Sequence, residues 1–408
     1  MTTTRPAPRR RRRLLLRLAL VVAAAGIAAL ALADPVRDAW LAYRFVSALE
    51  SGSEPAPDPH PDRAPPSPSP SSPGSDAGAR SSPPASPSSP VPAPALAPSP
   101  PSVVLETPAG RGRFYRPRAL DGPVPGVVLV HGASTDGPDD PRLRALARAL
   151  ANVGFAVLTP ELAEVRNLTV TTASTEQVIA AFEDLAARPG VDPARVGIAG
   201  VSLSCGPVLV AAGDPRIAPR VRFAVSFGGY GDLRRLVRGG GLGHVFGRQL
   251  VALRYADDLV PEPERAGFRR AAVAIVREQP RDAATEATLG PSTRALLDFL
   301  AGAETGDLSA RFAALVAADE EGLAAVSPEA RPGELRCPVF VLHGARDPLI
   351  PAAEAERLAA SLARRTDVRI LVTELYGHAD RAEVDSRATW AVEAFRLFLF
   401  AFQLVRAI

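Results

Sequence analysis

The sequence predicts an α/β domain, a mostly parallel sheet with helices on both faces and one helical insertion, preceded by a membrane segment and a linker. Three observations predict it. From about Val103 onward, short β-branched apolar runs alternate with helical patterns, as in strands joined by crossover helices. The alternation is interrupted between about 230 and 336, where helical patterns follow one another with no strand run between them. Ahead of the domain the chain is successively basic, apolar and Pro/Ser-rich, none of which supplies strands to a sheet.

Residues 1–13 are basic, with Arg9 to Arg13 unbroken. Residues 14–33, Leu14 to Ala33, are apolar except for Arg17, long enough as a helix to cross a bilayer core. The flanking arginines place the N-terminus in the cytoplasm and export the chain beyond the apolar run. Ala31-Leu-Ala33 before Asp34 also has the small-residue form of a signal-peptidase site. An uncleaved anchor and a cleaved signal both put the remainder outside the cytoplasm, and the heavy basic end and long apolar run favour the anchor. Residues 34–50 are amphipathic, with Trp40, Leu41, Tyr43, Phe45, Val46 and Leu49 as the apolar set. They form either an interfacial helix anchored by Trp40 and Tyr43 or a helix packed on the domain after the linker. Residues 51–102 are dominated by Pro, Ser and Ala and read as a disordered linker. In extended polyproline geometry, roughly 3.1 Å per residue, that stretch spans on the order of 100 Å or more.

The domain at 103–408 opens with an expected hairpin, Val103–Glu106 and Gly112–Tyr115. Strands are expected at Val127–Val130, Phe155–Leu158, Val196–Ala199, Arg222–Ser226, Val339–Leu342 and Val368–Val372. Helices are expected between them at Pro141–Ala151, Ser174–Ala187, Leu203–Ala212 and Ala352–Leu362. The insertion supplies helical patterns at Gly247–Tyr255, Glu264–Arg277, Ser292–Ala301 and Leu308–Val316. A closing helix, Ala388–Leu404, carries Phe395, Phe398, Phe400 and Phe402; Glu393 and Arg396 argue for a packed helix over a membrane span.

Chemistry concentrates at the strand ends, where ligands bind in such sheets. Arg195-Val-Gly-Ile-Ala-Gly200-Val-Ser202-Leu-Ser-Cys-Gly206 is a strand run that breaks into a small apolar helix. A serine on such a turn has its hydroxyl pushed out of the sheet, and the N–H of the next residue, Leu203, is left free for an oxyanion. The G-x-S-x-G spacing is met by Gly200 before Ser202, whereas Ser204 stands where the second glycine would be. Ser204 competes as nucleophile, with Gly206 after it; the apolar run weakens after Ile198, which places the turn at Ser202. Upstream, Pro125-Gly-Val-Val-Leu-Val-His131-Gly132 is a buried strand run ending in His-Gly. Downstream, Pro338-Val-Phe-Val-Leu-His343-Gly-Ala-Arg-Asp347-Pro sets an aspartate just past a strand, and Val368–Val372 is followed by Leu375-Tyr-Gly-His378.

These segments resemble the α/β-hydrolase superfamily, with the flavour of the serine hydrolases related to dienelactone hydrolase, over about residues 103–408. The resemblance implies a catalytic order of Ser, then Asp or Glu, then His along the chain, which Ser202, Asp347 and His378 follow. Of the five histidines, His60 falls in the linker and His244 in a Gly-rich loop, while His131 and His343 precede Gly at strand ends and read as loop-bonding imidazoles. His378 alone follows the last strand; Asp380 and Asp385 compete with Asp347 but sit at no strand end. The resemblance further implies a second oxyanion donor, the Ala133 N–H, and a cap over the site formed by the insertion, with a plain scaffold extension as the alternative. No cofactor and no metal are expected, since the sequence holds no cluster of His, Cys and carboxylates at metal-ligand spacing and no Gly-rich phosphate loop with a Lys.

Charge and cysteine usage narrow the classes. The net charge of +3 is more than supplied by the basic start, so the rest is slightly acidic and offers no case for nucleic-acid binding. The chain has no lysine. Its two cysteines, Cys205 and Cys337, fall at opposite strand edges, beyond disulfide reach, and read as small buried residues. The expected function is a membrane-tethered, extracytoplasmic serine hydrolase acting on a small-molecule or lipid carboxylic ester. An acyltransferase or serine peptidase on the same residues, or a non-catalytic surface binding module, are the alternatives.

Overall fold

Eight strands form in the computed structural model where the apolar runs stand: β1 (Ser102–Thr107), β2 (Gly110–Tyr115), β3 (Val124–Val130), β4 (Ala156–Pro160), β5 (Val191–Val201), β6 (Ala224–Phe227), β7 (Val339–Gly344) and β8 (Val368–Thr373). The structure describes residues 102–117, 122–238, 245–276, 279–303, 306–378, 382 and 384–408. The expected membrane segment, amphipathic stretch and Pro/Ser linker up to residue 101 lie outside the described residues, as do His60, His244 and Asp380, while Ser102, expected to end the linker, is the first residue of β1.

The strands join one sheet in the order β1-β2-β4-β3-β5-β6-β7-β8. The β1–β2 and β2–β4 pairs are antiparallel, and every other pair is parallel. Alternation along the strands sorts side chains to two faces. Val128, Val130, Ile198 and Val341 face a layer built by α2 (Thr172–Ala186), α3 (Cys205–Ala212) and α10 (Ala352–Leu362). Val127, Leu129, Phe340 and Leu371 face α1 (Pro141–Asn152) and α11 (Arg387–Ala407), with Phe340 and Phe400 edge to face at 5.7 Å. Although α11 is long and apolar enough by composition to cross a membrane, its Leu397, Phe400 and Ala401 are buried on the sheet.

Around the serine turn, three boundaries differ from expectation. β5 continues past Ala199 to Val201, because Gly200 pairs with Val130 of β3 and Val201 with Phe227 of β6. Gly200 has no side chain to extend an apolar pattern, so the run looks finished two residues too early. The helix expected from Leu203 is a single 3-10 turn, Ser202–Ser204, followed by α3 from Cys205. β6 is shifted to Ala224–Phe227, although the Arg222 N–H still bonds the Val196 carbonyl at 2.8 Å.

Between β6 and β7 the described residues form only helices and turns: α4 (Leu233–Leu236), α5 (Val245–Arg254), α6 (Arg265–Val276), α7 (Pro291–Leu300), α8 (Gly306–Ala318) and α9 (Glu320–Ala325), with shorter turns between. Their own core includes Phe268 and the stacked pair Phe299 and Phe312, 5.2 Å apart. Arg235 of α4 fixes this layer to the sheet's flanking helix, bonding Glu354 of α10 at 2.7 Å and Glu329 at 2.7 Å. Since Glu354 is buried, removing Arg235 would leave its carboxylate with Arg357 at 3.1 Å as its remaining cation in low dielectric. The insertion is therefore pinned at its base.

Candidate active site

Ser202 has φ 55°, in the left-handed region that costs a non-glycine residue about 1–2 kcal/mol. Neighbouring bonds and close contacts hold it there. The Val201 N–H donates to Ser204 Oγ at 3.0 Å, and that hydroxyl lies 3.0 Å from the Val201 carbonyl and 3.3 Å from that of Val130. Ser204 thus ties the turn to the ends of β5 and β3, and it is fully buried. At Gly200 any Cβ would come 3.0 Å from Cys205 Cα, and at Gly132 it would come 3.2 Å from Ser202 Cβ. Strand, helix and the β3 loop meet too closely there for larger residues.

On this turn the three expected residues come together. His378 Nε2 lies 2.6 Å from Ser202 Oγ, and His378 Nδ1 lies 2.7 Å from Asp347 Oδ2. The other oxygen, Asp347 Oδ1, accepts the Leu349 and Ile350 N–H groups at 2.8 and 2.9 Å. Burial by itself would raise the Asp347 carboxyl, but hydrogen bonds from His343 and His378, the His378 charge and the Ile350 N–H outweigh it. The group is held well below the usual carboxylate range. An ionised acceptor fixes Nδ1–H on His378 and leaves Nε2 to face the serine, the arrangement that lets an imidazole take a hydroxyl proton.

Asp385, one competing acid, pairs instead with Arg346 at 3.1 Å on the surface. Cys205 is also set aside: burial pushes its thiol up to about 12, and its Sγ lies 3.1 Å from the Gly200 carbonyl. Cys337 is buried with a free thiol just before β7. The Leu203 N–H belongs to the first helical turn, whose amides have no intrahelical acceptor, and Ala133 follows the Gly132 that touches Ser202.

His131 supports that loop. Its Nδ1 lies 2.8 Å from the Gly132 carbonyl and its Nε2 accepts the Leu162 N–H at 3.1 Å, which requires the neutral Nδ1–H tautomer. Burial is the main cause that pushes its pKa down from 6.5. The unfolded chain then binds this proton more readily than the folded one, so stability from His131 is complete above pH 6.5 and is lost as pH falls below it. Thermal melts from pH 7.5 to 5 should show a steeper loss for the natural protein than for His131→Gln. Parallel curves would mean that the fold does not hold His131 neutral.

Three features escaped the sequence reading. Gly344 lets the last loop close, since a Cβ there would sit 1.9 Å from the Gly377 carbonyl and 2.5 Å from that of Tyr376. Gly228, φ 64°, runs beneath the same loop, its Cβ position 3.0 Å from the His378 carbonyl. The Gly228-Gly229 pair after a strand was the signal in the sequence. His343 does bond a loop carbonyl, that of Ile350 at 2.9 Å, but its Nε2 also lies 3.3 Å from Asp347 Oδ2.

The α/β-hydrolase fold is identified by this sheet order, with the serine turn at the carboxyl end of the fifth strand and the aspartate and the histidine after the seventh and eighth. No family model matches the chain, and no curated protein does. Among solved structures it aligns with Porphyromonas gingivalis dipeptidyl peptidase 4 at 14% identity, covering 74% of this chain and 35% of that one, with a TM-score of 0.40. It aligns with 2,6-dihydroxy-pseudo-oxynicotine hydrolase at 14% identity over 76% of this chain and 68% of that one, TM-score 0.43. A thermophilic esterase from the planctomycete Thermogutta terrifontis gives 12% identity over 75% and 95%, TM-score 0.44. The chain spans about a third of the peptidase's length, 35%. At such TM-scores these likenesses add nothing to what the sheet order and the serine turn establish.

Proposed function

We propose that this chain is a serine hydrolase that cleaves carboxylic esters through an acyl-enzyme, tethered to a membrane with its catalytic domain outside the cytoplasm. The observation that carries the reading is the unbroken path Ser202 Oγ, His378, Asp347, with separations of 2.6 and 2.7 Å. Ser202 Oγ attacks the ester carbonyl while His378 Nε2 takes its proton. The carbonyl oxygen becomes an oxyanion met by the Leu203 and Ala133 N–H groups, donors commonly worth about 3 kcal/mol each. Collapse breaks the ester C–O bond, and His378 returns the proton to the departing alcohol. Water then repeats the sequence on the acyl-enzyme and frees the acid.

An apolar cleft beside Leu203 supports an ester whose acyl part carries no charge. It is lined by Leu168 and Val170 from the loop after β4, by Leu233, and by Leu250 and Val251 of α5. Arg254 reaches the same cleft, but its charge is met by Asp319 at 2.6 Å. These side chains favour an uncharged acyl group on a small-molecule or lipid ester over a charged one. The tether rests on the basic start, the apolar run at 14–33 and the Pro/Ser stretch.

Membrane fractions holding the full chain, treated with a fluorophosphonate probe, test both halves of the proposal. The labelled band should stay bound through high salt and leave with detergent, and the adduct should map to Ser202. An adduct on Ser204 would overturn the assignment of the nucleophile. Release by salt alone would overturn the anchor.

A further inference from the structure

We propose that His343 is a positioning residue for the site: its Nε2–H donates to Asp347 Oδ2 and thereby sets how strongly that carboxylate holds and charges His378. The inference rests on the catalytic reading of Ser202, His378 and Asp347. His343 ends the apolar run of β7 and has no exposed side-chain surface, nor has Asp347. Its Nε2 lies 2.9 Å from the Ile350 carbonyl and 3.3 Å from Asp347 Oδ2. Both partners are acceptors only, so Nε2 must carry the hydrogen and share it between them. Nδ1 is buried and has no partner among the described residues, so nothing on that side competes to fix the ring's tautomer.

Four donors therefore converge on one carboxylate. The Leu349 and Ile350 N–H groups hold Oδ1, while His378 Nδ1 and His343 Nε2 share Oδ2. The two on Oδ2 compete, because each draws on the negative charge that stabilises the other's bond. A carboxylate with a second imidazole on it stabilises the His378 imidazolium less, which keeps His378 readier to give its proton to the leaving alcohol. The same bond stops Asp347 from turning about its side chain, with Ile350 held at both its N–H and its carbonyl. The other charges near the pair stay in place when His343 is changed. Arg346 pairs with Glu374 at 3.5 Å and Asp385 at 3.1 Å, and Glu393 of α11 is held by Thr373 at 2.7 Å and Arg396 at 2.6 Å. Across Ser202, Arg166 and Glu161 pair at 2.8 Å beside the His131 loop.

The test compares the natural full chain with His343→Phe, which keeps a ring and removes the donor, and with His343→Gln, whose amide reaches the Nε2 position. Proton NMR of the histidines gives the titration midpoint of His378 whether or not an ester is turned over. In His343→Phe the midpoint should rise by about half a unit or more, and in His343→Gln it should stay near the natural value. Ester kinetics on the same samples should show the acid limb of kcat/KM moving with the midpoint, and kcat falling more than KM changes. If the Phe variant does not fold, His343→Asn, whose amide falls a bond short of Asp347, serves as the donor-less case. Equal midpoints in the natural and donor-less proteins, or a Gln variant that shifts as far as the donor-less one, would overturn the role of His343. A shifted midpoint in a protein that turns over no ester and takes no fluorophosphonate would support the His343 bond and overturn the hydrolase reading instead.

Discussion

Ser202→Ala should remove ester turnover by roughly 10⁴-fold or more and abolish labelling by fluorophosphonate, with the melting curve nearly unchanged. The size follows from geometry. Ser202 Oγ is the atom that His378 Nε2 faces, and no neighbouring hydroxyl or thiol can replace it. Ser204 Oγ is spent on Val201 and Val130, and Cys205 is buried with its thiol pushed up. His378→Ala and Asp347→Asn should each cost a comparable factor, since the asparagine amide would present a donor to Nδ1 and turn the imidazole to the wrong tautomer. Pairing either with Ser202→Ala should add almost nothing, because the three act as one proton path. Ser204→Gly should keep substantial turnover while lowering the melting temperature, since it removes hydrogen bonds that hold the turn but no reacting atom. Undiminished turnover in His378→Ala would contradict the proton path itself.

Gly206→Ala should destabilise the domain by about 3 kcal/mol or more. Gly206 lies in the first turn of α3, where the helix docks under the insertion. A Cβ there would fall 2.1 Å from Tyr230 Oη, 2.6 Å from Tyr230 Cζ and 2.4 Å from the Val326 carbonyl oxygen. None of these atoms can step aside, since Tyr230 and Val326 are fully buried and the Tyr230 hydroxyl already donates to Val326 at 3.3 Å. The double variant Gly206→Ala with Tyr230→Phe should recover only part of the loss, because it removes the hydroxyl and leaves the ring and the carbonyl. Thermal melts of the natural protein, the two single variants and the double variant check this. A Gly206→Ala chain that melts with the natural one would show that α3 can slide along the sheet. Ser202 would then be held less firmly than the contacts around Gly200 imply.

Much of this was legible in the chain because strands buried on both faces are written as short apolar runs. The β3, β7 and β8 patterns at Val127–Val130, Val339–Leu342 and Val368–Val372 lie within one to three residues of the observed ends. The turn at Ser202 was legible for a related reason: only a small residue at 200 permits it, and glycine is visible as a letter. Less visible was where β5 ends. Gly200 and Val201 belong to it because Val130 and Phe227, 70 and 26 residues away along the chain, complete the ladder.

The sequence by itself determined the α/β class, the alternation of strands and helices, and the order in which a serine, an acid and a histidine appear. Those are properties of local composition and spacing, and each is set within about ten residues of chain. Only the tertiary structure decided that His378 Nε2 and Ser202 Oγ stand 2.6 Å apart, across 176 residues of sequence. It alone set the Arg235 clamp to Glu354 and the double use of His343, which reads as a strand-end histidine until the loop from Gly344 to Ile350 folds Asp347 back beside it. Hydrogen bonds and close contacts depend on distances of a few tenths of an ångström, and those are fixed by how remote segments pack against the sheet.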